Sequence, residues 1–354
     1  VLTHELAHLS QRHFARGLEA QKQSSAAMMA GLLGGLVAIA AGAGDAGMAA
    51  IMGGQAAAMD SQLSYSRLHE KEADRVGMQN QAAAGLDPGG AAGMFTVMQK
   101  ASRAYGSRPP EFLMTHPLTE TRIADAKNRA ATYPARVYQD NPEFQLMRAR
   151  AELSIFKDNK AGVSHFRTRR AKGGKGAVPA QYGLILALTR SGDFTEAREL
   201  LQPMRAFKPN NITYLVAEAD INIEQGKFDR AISMLESNLA MTPGNHPTTM
   251  YLAKAYEQGG YYQKADRLLA RHVRDHSSNA QLWYILAEVQ GKGGNILGLH
   301  QSRAESLALN GAMKQAIDQL NLALPLATNQ VTVERIHTRI GYFQNIQRAL
   351  NSMR

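Results

Sequence analysis

The sequence predicts a mainly α-helical protein in two parts, and three observations carry that prediction. Residues 1–8 contain His-Glu-x-x-His, a spacing that stacks two imidazoles on one face of a helix. Residues 60–85 read as a second helix, with Glu70 and Asp74 four apart on one face. From about residue 136 a glycine, an aromatic and an alanine return in fixed order, with a glycine-to-glycine step of 34 residues.

Composition sets the outer limits. At 354 residues two domains are expected, placed at 1–135 and 136–354, and a hydrophobic fraction of 44% suffices for packed cores. Cysteine is absent, which excludes a disulfide framework and any Cys-based zinc site but leaves the compartment open. The net charge of +10 points toward anionic surfaces. Its one dense cluster, Arg167 to Lys175, lies in a glycine-containing stretch that reads as a solvated loop. No aromatics interleave with it, so nucleic acid is not an expected partner.

The chain opens on Val1, with no capping turn ahead of the motif. The expectation is a fragment or processed chain, its first domain lacking an N-terminal part. Residues 1 to about 23 read as one helix packing through Leu6, Leu9, Phe14 and Leu18. On it, His4 and His8 are spaced to bind one Zn²⁺, and Glu5 sits where it could take a proton from a water at that metal. The metzincin pattern is excluded, because it needs Gly at 11 and His at 14, where Gln11 and Phe14 stand.

Residues 26–44 run without a charge and are long enough to consider as a membrane span. A single crossing would put the two halves of the metal site on opposite sides of the membrane, and 46–59 is too short and weakly apolar to return. The preferred reading is a small-residue helical hairpin with Gly44-Asp45 near its turn. It would pack near the site or touch a membrane surface peripherally through 26–59.

The helix at 60–85 is expected to end near Gly85-Leu86-Asp87-Pro88. Glu70 could complete a His₂Glu site with the fourth position left to water, and Asp74 could orient a ligand imidazole. His69 and Glu72 compete for the ligand role, and spacing does not separate them. Without its partners this segment would read as a charged surface helix.

His-Glu-x-x-His followed by Glu70-Lys71-Glu72-Ala73-Asp74, then Thr115-His116-Pro117-Leu118 with Arg122-Ile123, resembles the HtpX-like gluzincin peptidases. Ser107 to Glu111 and Arg122 to Ala130 are similar to the periplasmic branch of that family, whose members continue into helical repeats. The resemblance implies a zincin-type metalloprotease fold and one Zn²⁺ per chain, held by His4, His8 and Glu70 with Glu5 as base. It also implies a periplasmic setting and, as partners, misfolded or stalled outer-membrane β-barrel proteins and their assembly machinery. His116 precedes a proline, so a loop is expected there. It would be a fourth zinc ligand closing the resting site, the reading the resemblance favours, or a donor to the oxyanion, or a loop anchor. Arg122 is expected to anchor the same loop by ion pairing.

In the second part, Gly192-x-Phe194-x-x-Ala197 recurs as Gly226-x-Phe228-x-x-Ala231 and Gly260-x-Tyr262-x-x-Ala265. Gly294 continues the register weakly, and Gly311 with Met313 and Ala316 restarts it out of phase. This is the tetratricopeptide signature, in which a small alanine lets two helices approach and the aromatic fills the groove beside it. Degenerate units are expected from about 143 and to about 325. The array should form a superhelix with a concave binding face. Tyr182, Tyr214, Tyr251, Tyr256 and Trp283 are expected in the core rather than on that face.

The leading function is therefore a zinc-dependent endopeptidase whose repeats recruit substrate or an assembly partner; the resemblance implies that it is also a chaperone in the quality control and assembly of outer-membrane β-barrel proteins. The first alternative is a repeat-based binding or chaperone module with a silent or structural zinc site. An intact Glu5 argues against it, since a structural site needs no base. A membrane-anchored protease is disfavoured by the topology of 26–44.

Overall fold

A computed structural model describes residues 1–41, 43–105, 116, 118–134, 136–138 and 141–352. The chain divides into two compact units, Val1–Asp140 and Asn141–Arg354. The described residues of both are helical, with no strand among them.

The first unit contains α1 (Leu2–Ser10), α2 (His13–Ala40), α3 (Gly44–Ala83), α4 (Gly89–Tyr105) and α5 (Glu120–Ala131). The single helix expected over 1–23 is broken. Gln11 caps α1, and Arg12 adopts a left-handed φ of 54° before α2 begins at His13. The expected packing face is also corrected. Leu6, Leu9, Phe14 and Leu18 are exposed, Phe14 by 82%, while His4, Ala7 and His13 are buried. Imidazoles go inside here because α3 supplies carboxylates against them, which removes the cost of burying an unpaired polar group.

α2 and α3 pack together as the expected hairpin, α2 ending at Ala40 and α3 beginning at Gly44. Glycines set how closely the two helices approach. A Cβ on Gly35 would lie 2.6 Å from the Gly47 carbonyl oxygen, and one on Gly31 would lie 3.1 Å from Gly54 Cα. Leu33, Leu36, Val37, Met48 and Met52 point outward and are exposed. Among the described residues α2 alone is long and apolar enough, by length and composition, to cross a membrane. The return arm and the expected helix at 60–85 are one continuous 40-residue helix, α3, about 60 Å long. Its first half is hairpin, and its second half carries Glu70 and Asp74. It ends where expected, with Gly85 at φ 72°.

Beyond it α4 and α5 pack through Phe95, Ala92, Ile123 and Ala126 against Met78 of α3. Thr119 caps α5 by accepting a hydrogen bond from the Arg122 backbone N–H at 3.3 Å. Ser107 to Glu111, Thr115 and Pro117 lie outside the described residues.

The second unit is an array of helix pairs. α6 (Pro142–Leu153) and α7 (Asn159–Ala171) lead into α8 (Ala177–Ser191), α9 (Phe194–Phe207), α10 (Ile212–Glu224) and α11 (Phe228–Met241). Then come α12 (His246–Gln258), α13 (Tyr262–Asp275), α14 (Ala280–Lys292), α15 (Ile296–Leu309), α16 (Met313–Ala323) and α17 (Gln330–Ser352). Gly192, Gly226, Gly260, Gly294 and Gly311 all follow a helix at φ between 74° and 84°, the left-handed stop that glycine adopts without strain. Gly311 is out of phase because it ends the second helix of a pair, α15, where the others end a first helix. Ala197, Ala231, Ala265 and Ala316 are fully buried.

Tyr182, Tyr214 and Tyr256 are buried, and Tyr251 and Trp283 pack half-buried against the core. The basic run 167–175 is not a plain loop. Arg167, Arg169 and Arg170 sit in the last turns of α7, where Arg167 pairs with Glu196 at 2.8 Å and Arg169 with Glu152. The loop reading fits only the glycines that follow.

Candidate metal centre

Three helices and one residue ahead of α5 converge in the first unit. Gly77 decides how close α1 comes to α3: a Cβ there would lie 3.1 Å from His4 Cα and 3.1 Å from His4 N. That approach sets His4 and His8 over the turn of α3 that carries Glu70. His4 Nε2 and His8 Nε2 are 3.1 Å apart. Glu70 Oε2 lies 3.5 Å from His4 Nε2, and Glu70 Oε1 lies 3.3 Å from His8 Nε2. His116 Nδ1 is 2.8 Å from Glu70 Oε1.

Each of these four residues offers a donor atom within 4.8 Å of the others. Four ligands at zinc bond lengths in tetrahedral array would be spaced by about 3.3 Å. Three imidazoles and a carboxylate at these separations therefore fit a Zn²⁺-sized ion. Of the ligand candidates the sequence left open, Glu70 is the one placed against both imidazoles. His69 and Glu72 are turned elsewhere. Glu5 projects beside the cluster: its Oε1 is buried, accepts no hydrogen bond from the described residues, and lies 3.8 Å from His116 Nε2.

Behind the donors stands a layer of pairing groups. Asp74 Oδ1 is 2.9 Å from His4 Nδ1, a contact that orients the ring with Nε2 toward His8 and Glu70. Arg122 is 5% exposed, and its ion pairs run to the α3 carboxylates. Its Nε donates to Asp74 Oδ2 at 2.7 Å and its Nη2 to Asp74 Oδ1 at 2.8 Å, while its Nη1 is 2.9 Å from Glu70 Oε2. The guanidinium also lies over the Phe95 ring, 5.2 Å from its centroid.

The sequence reading missed a second support. His13 Nδ1 is 2.9 Å from His8 Nδ1, and His13 Nε2 is 3.1 Å from Glu72 Oε2. Glu72 in turn accepts from Arg16 at 2.9 Å, and His69 stacks flat on His13 with ring centroids 4.2 Å apart. In an unbroken helix His8 and His13 would point about 140° apart. The left-handed Arg12 folds His13 back onto His8. No periodicity in the sequence signals that break.

Protonation follows from this packing. Burial alone would lower the pKa of His4, but Asp74 and Glu70 outweigh it and push it up to about 9. Burial alone would raise the Glu70 carboxyl, yet His4, His8, Arg122 and His116 hold it well below the usual carboxylate range. These shifts leave Glu70 ionised and His4 protonated at neutral pH. A metal must displace that proton, which is bound below pH 9 and released as pH rises through it. Apparent Zn²⁺ affinity should then fall by about tenfold per unit between pH 8 and 7 for this proton. Competition titrations against a chromophoric chelator at the two pH values check this.

Residues 1–130 match the profile of peptidase family M48, and residues 222–289 match a tetratricopeptide-repeat profile. The chain is 36% identical over 327 residues to the beta-barrel assembly-enhancing protease of Escherichia coli K12, covering 91% of this chain and 66% of that protein. The protein of that name from Yersinia pestis is 33% identical over 322 residues, covering 91% of this chain and 66% of its own length. A Vibrio cholerae protein, named a putative beta-barrel assembly-enhancing protease, is 35% identical over 319 residues, covering 90% and 66%. The chain thus spans just under two thirds of the length of these relatives.

Proposed function

Because residues 1–130 match peptidase family M48, with tetratricopeptide repeats behind them, we propose that the chain is a zinc-dependent endopeptidase of the gluzincin type. The observation that carries this reading is the convergence of His4, His8 and Glu70 at ligand spacing with Glu5 beside them. Bound there, Zn²⁺ supplies Lewis acidity toward the scissile carbonyl and toward a water. Glu5 takes the proton of the attacking water and returns it to the departing amine. Asp74 and Arg122 fix His4 and Glu70 in register, and His13 with Glu72 does so for His8.

His116 is the resting fourth ligand in this reading. Its place against Glu70 supports that role, and its nearness to Glu5 means that it must swing away before a substrate carbonyl can enter. The repeats recruit the substrate or an assembly partner. In this reading the substrates are misfolded or stalled outer-membrane β-barrel proteins, the partners their assembly machinery and the location the periplasm; the relatives' names support a role in β-barrel assembly and no more. The exposed Leu33, Leu36, Val37, Met48 and Met52 on the hairpin support peripheral contact with a membrane through 26–59.

The test is cleavage of an unfolded outer-membrane β-barrel protein by the full-length protein. Cleavage should stop on chelation and return with added Zn²⁺; cleavage that persists after the zinc is removed would refute the proposal. In the same assay His116→Ala should lose zinc more readily to the chelator and turn over faster when zinc is in excess. If neither quantity moves, His116 is only a loop anchor.

A further inference from the structure

A second group of metal-type donors lies in the other unit, remote in sequence from the first. His246 opens α12, His272 is in the last turn of α13, and His276 caps that helix. α12 and α13 pack against each other within one repeat, which brings the start of the first beside the end of the second. His246 Nδ1 lies 2.8 Å from His272 Nε2. The His272 and His276 ring centroids are 4.2 Å apart, and those of His246 and His276 are 5.4 Å apart. One nitrogen from each ring falls within 4.8 Å of the other two.

Two features suit these rings to a metal rather than to one another alone. His276 Nδ1 is 3.0 Å from the His272 carbonyl oxygen, so that Nδ1 carries the hydrogen and Nε2 keeps the lone pair. An Nδ1–H donated to a backbone carbonyl is the usual device that orients a metal-binding imidazole. In addition, His272 is buried, while His246 and His276 are half-exposed, which gives the cluster a fixed base and an open side. Three imidazoles with an open fourth position suit a late first-row divalent ion and match no preference of Mg²⁺ or Ca²⁺.

We propose that His246, His272 and His276 bind a second Zn²⁺, which staples the start of α12 to the end of α13 and leaves one coordination position open to water or an incoming ligand. Neither the peptidase reading nor the repeat signature requires this site. The repeat consensus specifies glycine, aromatic and alanine positions, and none of these histidines occupies one.

The experiment counts zinc per chain in the full-length protein, loaded with Zn²⁺ and dialysed against a weak chelator. Wild type should hold two ions. His276→Gln and His246→Gln, both at half-exposed positions, should each hold one, as should His8→Gln, which removes the other site. The repeat unit's unfolding midpoint should rise with added Zn²⁺ in wild type and stay unchanged in His276→Gln, with helical circular dichroism confirming that the variant is folded. Two ions in His276→Gln, or one in wild type with none in His8→Gln, would overturn the proposal. One ion in wild type with none in His276→Gln would uphold this site and instead remove the peptidase metal.

Discussion

Glu5→Gln should lower peptide-bond cleavage by about 10²–10⁴-fold while the protein keeps its zinc. The two effects separate because Glu5 is not among the four donors. The substitution keeps the side chain's size and the helix propensity of α1 but removes the oxygen that accepts a proton. In the proposed mechanism a Glu5 carboxylate oxygen is the atom that takes the proton of the attacking water. Cleavage is measured on an unfolded β-barrel protein, with zinc content determined on the same samples. Equal cleavage by the two proteins would mean that another base, or another protease, does the work. Loss of zinc along with activity would mean that Glu5 holds the metal and is not simply a base.

Arg122→Met should be the most damaging single change to the stability of the first unit. It removes one cation from between two buried carboxylates, keeping a side chain of similar reach. Asp74 loses a two-pronged partner at 2.7 and 2.8 Å, and Glu70 loses one at 2.9 Å. Breaking a buried pair in this way costs about 3–5 kcal/mol, because the two carboxylates have given up water and keep only their imidazole partners in exchange. The pH dependence fixes the sign. Pairing with His4 and Arg122 depresses the pKa of Asp74 against the opposing effect of burial. Stability from a depressed carboxylate is present above its unfolded value, about 3.9, and is lost as pH falls through the folded value. The variant's deficit should therefore be full at neutral pH and shrink in acid. Denaturant unfolding of wild type and variant at both pH values measures it. An unchanged midpoint at neutral pH would show that the two carboxylates find solvent or another cation.

How far the sequence reached differs from element to element. The glycines at 192, 226, 260, 294 and 311 and the alanines at 197, 231, 265 and 316 were legible, because each answers a local demand: a left-handed stop, or a helix crossing with no room for a larger side chain. His4, Glu5 and His8 were legible for a similar reason, whereas spacing did not separate Glu70 from His69 and Glu72. Spacings of four within a helix are local geometry, and the chemistry needs few residue types. The hairpin of 26–59 was legible in the run of Gly and Ala, though the fusion of its return arm with the helix at 60–85 was not, since no breaker marks a boundary that does not exist.

What only the tertiary structure decided is where the two histidine clusters close and which face of α1 goes inside. Periodicity assigned Leu6 and Leu9 of α1, with Phe14 and Leu18 of α2, to the core, yet the buried residues are His4 and Ala7 of α1 and His13 of α2. The pattern alone could not see the carboxylates of α3, 60 to 70 residues away, that make burying imidazoles favourable. The choice of Glu70 over His69 and Glu72 depends on Gly77 and on the angle at which α1 meets α3. The His8–His13–Glu72 support depends on one left-handed residue, Arg12. His246, His272 and His276 meet only because antiparallel packing lays the start of one helix beside the end of the next. The sequence determined the helices, the repeat and the chemical inventory, since these rest on neighbours along the chain. The structure determined which inventory meets, since that rests on contacts whose partners the chain order does not reveal.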